Sequence, residues 1–115
     1  MDIVEVLKHT SPDLFLPNIQ ATDKDGALTE LVKGLISGTE ITNADNIMQM
    51  LKSRENLGST AVGPGIAFPH GRTLSVQRLT ILIGRCPEGV DFDSEDGNLT
   101  KLFFVLIAPP QDSGH

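Results

Sequence analysis

Apolar positions recur at helical intervals in the first half of this chain and gather into short runs in the second. Ile3, Val4, Val6 and Leu7 predict one or two helical turns within residues 2–9, ended by Ser11-Pro12. Leu14-Phe15-Leu16-Pro17, followed by Asn18-Ile19, reads as an extended segment, an edge strand because Pro17 lacks an N–H. Ala27, Leu28, Leu31, Val32, Leu35 and Ile36 mark one face of an amphipathic helix. Thr22 is its expected N-cap, Asp23 and Asp25 complement the positive helix end, and Gly38 closes it. A second helix is expected after Thr42 or Asn43, with Ile47, Met48, Met50 and Leu51 on its apolar side. It runs to about Arg54-Glu55, where Asn56 and Gly58 stop it.

From Ser59 onward the pattern is that of strands. Thr60–Val62, Ile66–Phe68, Leu79–Gly84, an extended Phe92-Asp93 and Leu99–Ala108 follow one another, with Asp96-Gly97-Asn98 as a turn. The unbroken apolar run Leu102–Ala108 predicts a central strand covered on both faces. The fold class expected is therefore α/β, a single domain with a mixed β-sheet flanked by helices on both faces. Two strong helices are too few for that cover. A terminal helix following the Pro109–His115 loop is expected to be missing from the chain, which leaves apolar surface on one sheet face and favours a homodimer.

Composition narrows the class. The 115 residues fit one domain, and with no Trp or Tyr the core must come from aliphatic residues and five phenylalanines. No apolar run approaches the roughly 20 residues of a membrane-spanning helix. The opening MDIVEVLKHT carries two acids and no basic n-region, so it does not read as a secretory signal, and the expected location is the cytoplasm. A single cysteine, Cys86, excludes an internal disulfide and a CxxC site; lying beside Pro87 at an expected strand end, it reads as inert. The net charge of −6 argues against nucleic acid, whose binding needs a basic footprint, and favours a basic protein partner.

Candidate chemistry concentrates in Gly58–Arg72, GSTAVGPGIAFPHGR. The run Ile66-Ala67-Phe68 ends at Pro69-His70-Gly71, delivering an imidazole to a backbone break where glycine permits close approach. A histidine ring nitrogen can serve as nucleophile, base or metal ligand; the plainer alternative is a strand-end histidine satisfied by backbone groups. Arg72 follows two residues later and Arg54 closes the preceding helix. Guanidinium groups beside an imidazole suggest an anion there, a phosphoryl group above all. Their alternative is a solvated helix end, with Glu55 pairing nearby.

Gly63-Pro64-Gly65 is no Walker loop, because the GKS or GKT ending and GxGxxG are both absent. Nothing sets His9, His70 and His115 at metal-ligand spacing, so neither metal nor cofactor is expected. The acidic residues Asp91, Asp93, Glu95 and Asp96 read as a solvated turn rather than a cation site.

Taken in order, Arg54-Glu55, Gly58-Ser59-Thr60 and Gly65-Ile66-Ala67-Phe68-Pro69-His70-Gly71-Arg72 resemble the enzyme IIA components of the phosphoenolpyruvate-dependent sugar phosphotransferase system, of the fructose–mannitol and nitrogen-regulatory type. Phe68 stands where an aliphatic residue is usual, and the resemblance extends to Thr22-Asp23-Lys24-Asp25 and to Val90-Asp91-Phe92 through Pro109. It implies a phosphocarrier. His70 would take a phosphoryl group from phospho-HPr and pass it to an EIIB partner, with Arg54 stabilising the phosphohistidine. His115 is the candidate for the family's second active-site histidine. Thr60 and backbone N–H groups near Gly71 would add hydrogen bonds to the transferring group. The resemblance equally admits a nitrogen-type regulatory EIIA, whose phosphorylation state controls a partner protein.

Overall fold

The computed structural model describes residues 2–111. Three α-helices form where the pattern expects them. α1 (Ile3–Lys8) is capped by Asp2, whose side chain accepts from the Glu5 amide. α2 (Lys24–Gly38) is capped by Asp23 rather than Thr22: the Asp23 carboxylate accepts from the Gly26 amide at 2.7 Å. The acid one residue further on reaches the third amide of the helix, which the Thr22 hydroxyl does not. α3 (Ala44–Asn56) starts at Asn43, whose side chain accepts from the Asn46 amide. It buries Ile47, Leu51 and Glu55, one residue per turn along a single stripe.

Five strands make one mixed sheet: β1 (Phe15–Leu16), β2 (Ile66–Ala67), β3 (His70–Arg72), β4 (Thr80–Val90) and β5 (Thr100–Ala108). Their order is β1-β4-β5-β2, with β3 continuing β2 along the same side of β5. β4 and β5 are antiparallel, and the pairs β1–β4, β2–β5 and β3–β5 are parallel. β4 runs on past its expected end at Gly84, through Pro87 to Val90. A register shift between Arg85 and Val90, with Gly89 at φ 79°, lets the strand bypass its proline. Cys86 consequently lies inside a strand, not at a strand end, and is fully buried. Phe92-Asp93 is not extended: Asp93 has φ 59°, and its amide is bonded to the Asp91 side chain.

Strand alternation divides the sheet into two faces. Leu82, Cys86, Phe103, Val105 and Ile107 pack beneath α2 and α3 in the main core, where Phe92 meets Phe103 edge-to-face at 5.1 Å. On the opposite face Leu79, Ile81 and Ala108 form a smaller cluster against Val6 of α1. Leu102, Phe104 and Leu106 of that face are half-buried, so β5 is covered fully on one side and partly on the other. Phe68, 38 % exposed, stacks on Phe104 at 5.4 Å.

Thr100 carries a buried hydroxyl without a hydrogen-bond partner among the described residues. Such a group costs about 1–3 kcal/mol relative to a satisfied or absent one. Thr100→Val keeps the shape, and we expect it to raise the denaturant midpoint at unchanged m-value, by about 1 kcal/mol of stability.

Candidate functional site

The chain between α3 and β3 folds back on itself. Ala61 bridges Ala67, the Val62 amide donates to the Ile66 carbonyl, and the Phe68 amide donates to the Thr60 carbonyl. Gly63 and Gly65, at φ 52° and 75°, make the turn. A Cβ on Gly63 would collide with the Asp96 carboxylate, so this loop also meets the 91–98 segment closely. The Ser59 hydroxyl reinforces that contact by donating to the Phe92 carbonyl.

His70 does not sit at a backbone break. Pro69 interrupts the edge only locally, and His70–Arg72 continues as β3 in register with Leu106–Ala108. The Leu106 amide donates to the Pro69 carbonyl and the Thr73 amide to the Ala108 carbonyl, so alternation directs the His70 amide to the outer edge. The His70 ring is exposed, with Nδ1 2.7 Å from the Phe68 carbonyl oxygen. A carbonyl only accepts, so Nδ1 donates to it, and in the neutral ring Nε2 holds the lone pair. The neutral imidazole is thereby carried at the surface on a strand, which fixes its position better than a loop would.

Phe68, His70 and Arg72 are exposed at alternate positions, whereas Ala67, Pro69 and Thr73 are buried toward α3. Gly71 is set by α3: a Cβ there would stand 2.7 Å from the Met50 sulfur. The Thr73 hydroxyl donates to Asn46 at 2.8 Å. Helix and strand thus advance together, Asn46 at Thr73 and Met50 at Gly71, since four helical residues rise about 6 Å and two strand residues about 6.6 Å. The next turn brings Arg54 level with Pro69, the residue before His70. The Arg54 guanidinium donates to the Gly58 carbonyl at 2.8 Å, capping its own helix end. Arg72 donates to the Pro109 carbonyl at 3.0 Å, and His115 lies outside the described residues.

Thr60 is buried, with its amide and hydroxyl both donating to Glu55, at 3.1 and 2.5 Å. Glu55 also receives Lys24 Nζ at 3.1 Å. Lys24 in turn reaches Asp93 at 3.2 Å and stands 4.7 Å above the Phe92 ring. The Glu55–Lys24 pair joins two helices and is not displayed by the sequence pattern of either. The one sign of it is the position of Glu55 four residues after Leu51, a carboxylate on an apolar stripe. Within the acidic 91–96 run Asp96 accepts from the Ser94 hydroxyl and the Asn98 amide, which lower its carboxyl pKa from the ordinary value. Among the described residues no three His, Cys, Asp or Glu side chains gather as a metal site would require, and no helix is long and apolar enough to cross a membrane.

Residues 8–115 match the family model described as the phosphoenolpyruvate-dependent sugar phosphotransferase system, EIIA 2. A nitrogen regulatory protein of Bradyrhizobium diazoefficiens is 37 % identical over 101 residues, covering 86 % of this chain and 64 % of that protein. The fructose-specific EIIABC component of Bacillus subtilis is 35 % identical over 109 residues, 94 % of this chain but only 16 % of that protein. The crystal structure of the nitrogen regulatory protein IIA-Ntr from Neisseria meningitidis superposes with a TM-score of 0.82 at 29 % identity, over 90 % of this chain and 70 % of that one. The chain therefore spans less than two thirds of the Bradyrhizobium protein and a small part of the Bacillus one. With the family model matching from Lys8 onward and the same mixed sheet in a solved relative, the chain belongs to the EIIA type-2 family of the phosphoenolpyruvate-dependent sugar phosphotransferase system.

Proposed function

We propose that this chain is one EIIA-type domain, working in the cytoplasm as a phosphocarrier with a phosphohistidine intermediate on His70. The observation that carries the reading is the 2.7 Å contact between His70 Nδ1 and the Phe68 carbonyl, which leaves Nε2 as an exposed nucleophile. The Nε2 lone pair forms the new N–P bond as the donor's N–P bond breaks and its electron pair returns to the donor nitrogen. Such a transition state is loose, with charge spread over three equatorial oxygens, and asks the protein for position and positive potential rather than covalent help. The imidazole of His70, held on β3, supplies position. The guanidinium of Arg54, one helical turn beyond Met50, would supply charge on leaving Gly58, and Arg72 and the outward His70 amide on β3 are further donors of the reading. Gly71 keeps α3 close, and Thr60 holds the preceding loop. His115 is kept as the second histidine of the proposal.

The donor is phospho-HPr and the acceptor an EIIB domain, as in sugar uptake; a nitrogen-type regulatory role on the same histidine is the alternative, favoured by the likeness to nitrogen regulatory proteins. A second copy seated on the half-covered sheet face completes the proposed partners, and a monomer in sizing experiments removes it. The test of the main reading uses enzyme I, HPr and phosphoenolpyruvate. Intact mass should rise by one acid-labile phosphoryl group and fall again when an EIIB domain is added. A protein that stays unlabelled under conditions that label a known EIIA overturns the reading.

A further inference from the structure

Hydrogen bonds, joined by the main chain at Thr60 and Phe68, lead from a buried carboxylate to the acceptor imidazole. Lys24 Nζ lies 3.1 Å from Glu55, and Glu55 accepts the Thr60 amide and hydroxyl. The Thr60 carbonyl accepts the Phe68 amide at 3.0 Å, and the Phe68 carbonyl accepts His70 Nδ1 at 2.7 Å. The series crosses from the C-terminal turn of α3 to β3 through main-chain groups of Thr60 and Phe68.

We propose that Glu55, seated by Lys24, is the positioning residue that fixes the tautomer and orientation of His70 through Thr60 and Phe68. The inference rests on the phosphocarrier reading for its rate consequence but not for its tautomer consequence. Glu55 is 7 % exposed, and within the described residues its bonds run to the Thr60 loop and Lys24, none of them to solvent-side donors on its own helix. A carboxylate in this place holds Thr60 by its amide and hydroxyl, and the Thr60 carbonyl, on the next peptide unit, holds the Phe68 amide. When Nε2 takes the phosphoryl group while Nδ1 keeps its proton, the ring becomes formally cationic, and the Phe68 carbonyl faces that charge. Lys24 touches Glu55, Asp93 and the Phe92 ring, and so seats the carboxylate from the first turn of α2.

The test is Glu55→Gln, which keeps the shape and one carbonyl acceptor for the Thr60 amide but removes the charge. The ¹⁵N shifts of the His70 ring report its tautomer without any phosphoryl donor. The expected result is a shift from the Nδ1–H form toward the Nε2–H form, with phosphorylation by phospho-HPr about tenfold slower, as for partners that orient a functional histidine from behind. Lys24→Met, which removes the seating ammonium and leaves the Glu55–Thr60 bonds available, should move the same shifts less far. Should Glu55→Gln fail to fold, Lys24→Met carries the test alone. Ring shifts and rate that match the wild type in a folded variant overturn the proposal; so does a lowered melting temperature with an unmoved tautomer, which marks a purely structural role. If the wild type itself takes up no phosphoryl group, the phosphocarrier reading fails, while the ring shifts still decide the role of Glu55.

Discussion

Replacing His70 by alanine should reduce phosphoryl uptake from phospho-HPr to background while leaving the fold intact. The ring is exposed, so removing it opens no cavity, and β3 keeps its main-chain pairing with Leu106–Ala108. We expect the melting temperature to move by no more than a surface substitution allows, about 0.5 kcal/mol of stability. The chemistry has no substitute among the described groups. His9 lies before β1, and its carbonyl is held by the Ile81 amide at the other side of the sheet. Cys86 is fully buried, and the remaining candidates on β3 are a glycine and an arginine. Intact mass spectrometry and circular dichroism on the same sample separate loss of the acceptor from loss of the fold. Labelling that persists in a folded His70→Ala protein sinks the assignment.

The second large effect is on stability. Phe103→Ala should unfold a large share of the protein at physiological temperature. Phe103 is wholly buried on the central strand and edge-on to Phe92 at 5.1 Å, between the sheet and the two long helices. Truncating a core phenylalanine costs about 3–5 kcal/mol, against a total of about 5–15 kcal/mol for a domain of ordinary stability. With the opposite sheet face only partly covered, this chain belongs toward the lower part of that range. Urea denaturation should show a reduced midpoint with the slope retained. A midpoint within experimental scatter of the wild type would show that the core closes over the gap.

The long helices and β5 were legible because their signals are periodic and redundant. Six apolar positions at helical spacing define α2, and no single residue decides it. The caps and ends were less legible because one atom decides them: Asp23 replaces Thr22 by reaching Gly26, and β4 outruns its proline through a glycine at φ 79°. His70 stood out from its neighbours Pro69 and Gly71. Its proton, however, is placed by a carbonyl two residues back, which sequence does not display. Glu55 was hidden for a related reason. A glutamate at a helix end ordinarily faces water, and only the fold of the Thr60 loop turns it inward.

The sheet's wiring bears on how the molecule is assembled. Phe15 pairs with Ile83, 68 positions away, and Ile66 with Leu102, 36 positions away, whereas β4 and β5 are sequential neighbours. Loop-closure entropy favours the nearer partners, so the β4–β5 hairpin can nucleate, and both parallel edges join at greater entropic cost. The strand bearing the imidazole is one of those edges. A nascent chain therefore cannot complete it until the last described strand has been made. For the phosphocarrier proposed above, the acceptor histidine is therefore set only once β3 has docked on β5, independently of the β1 edge.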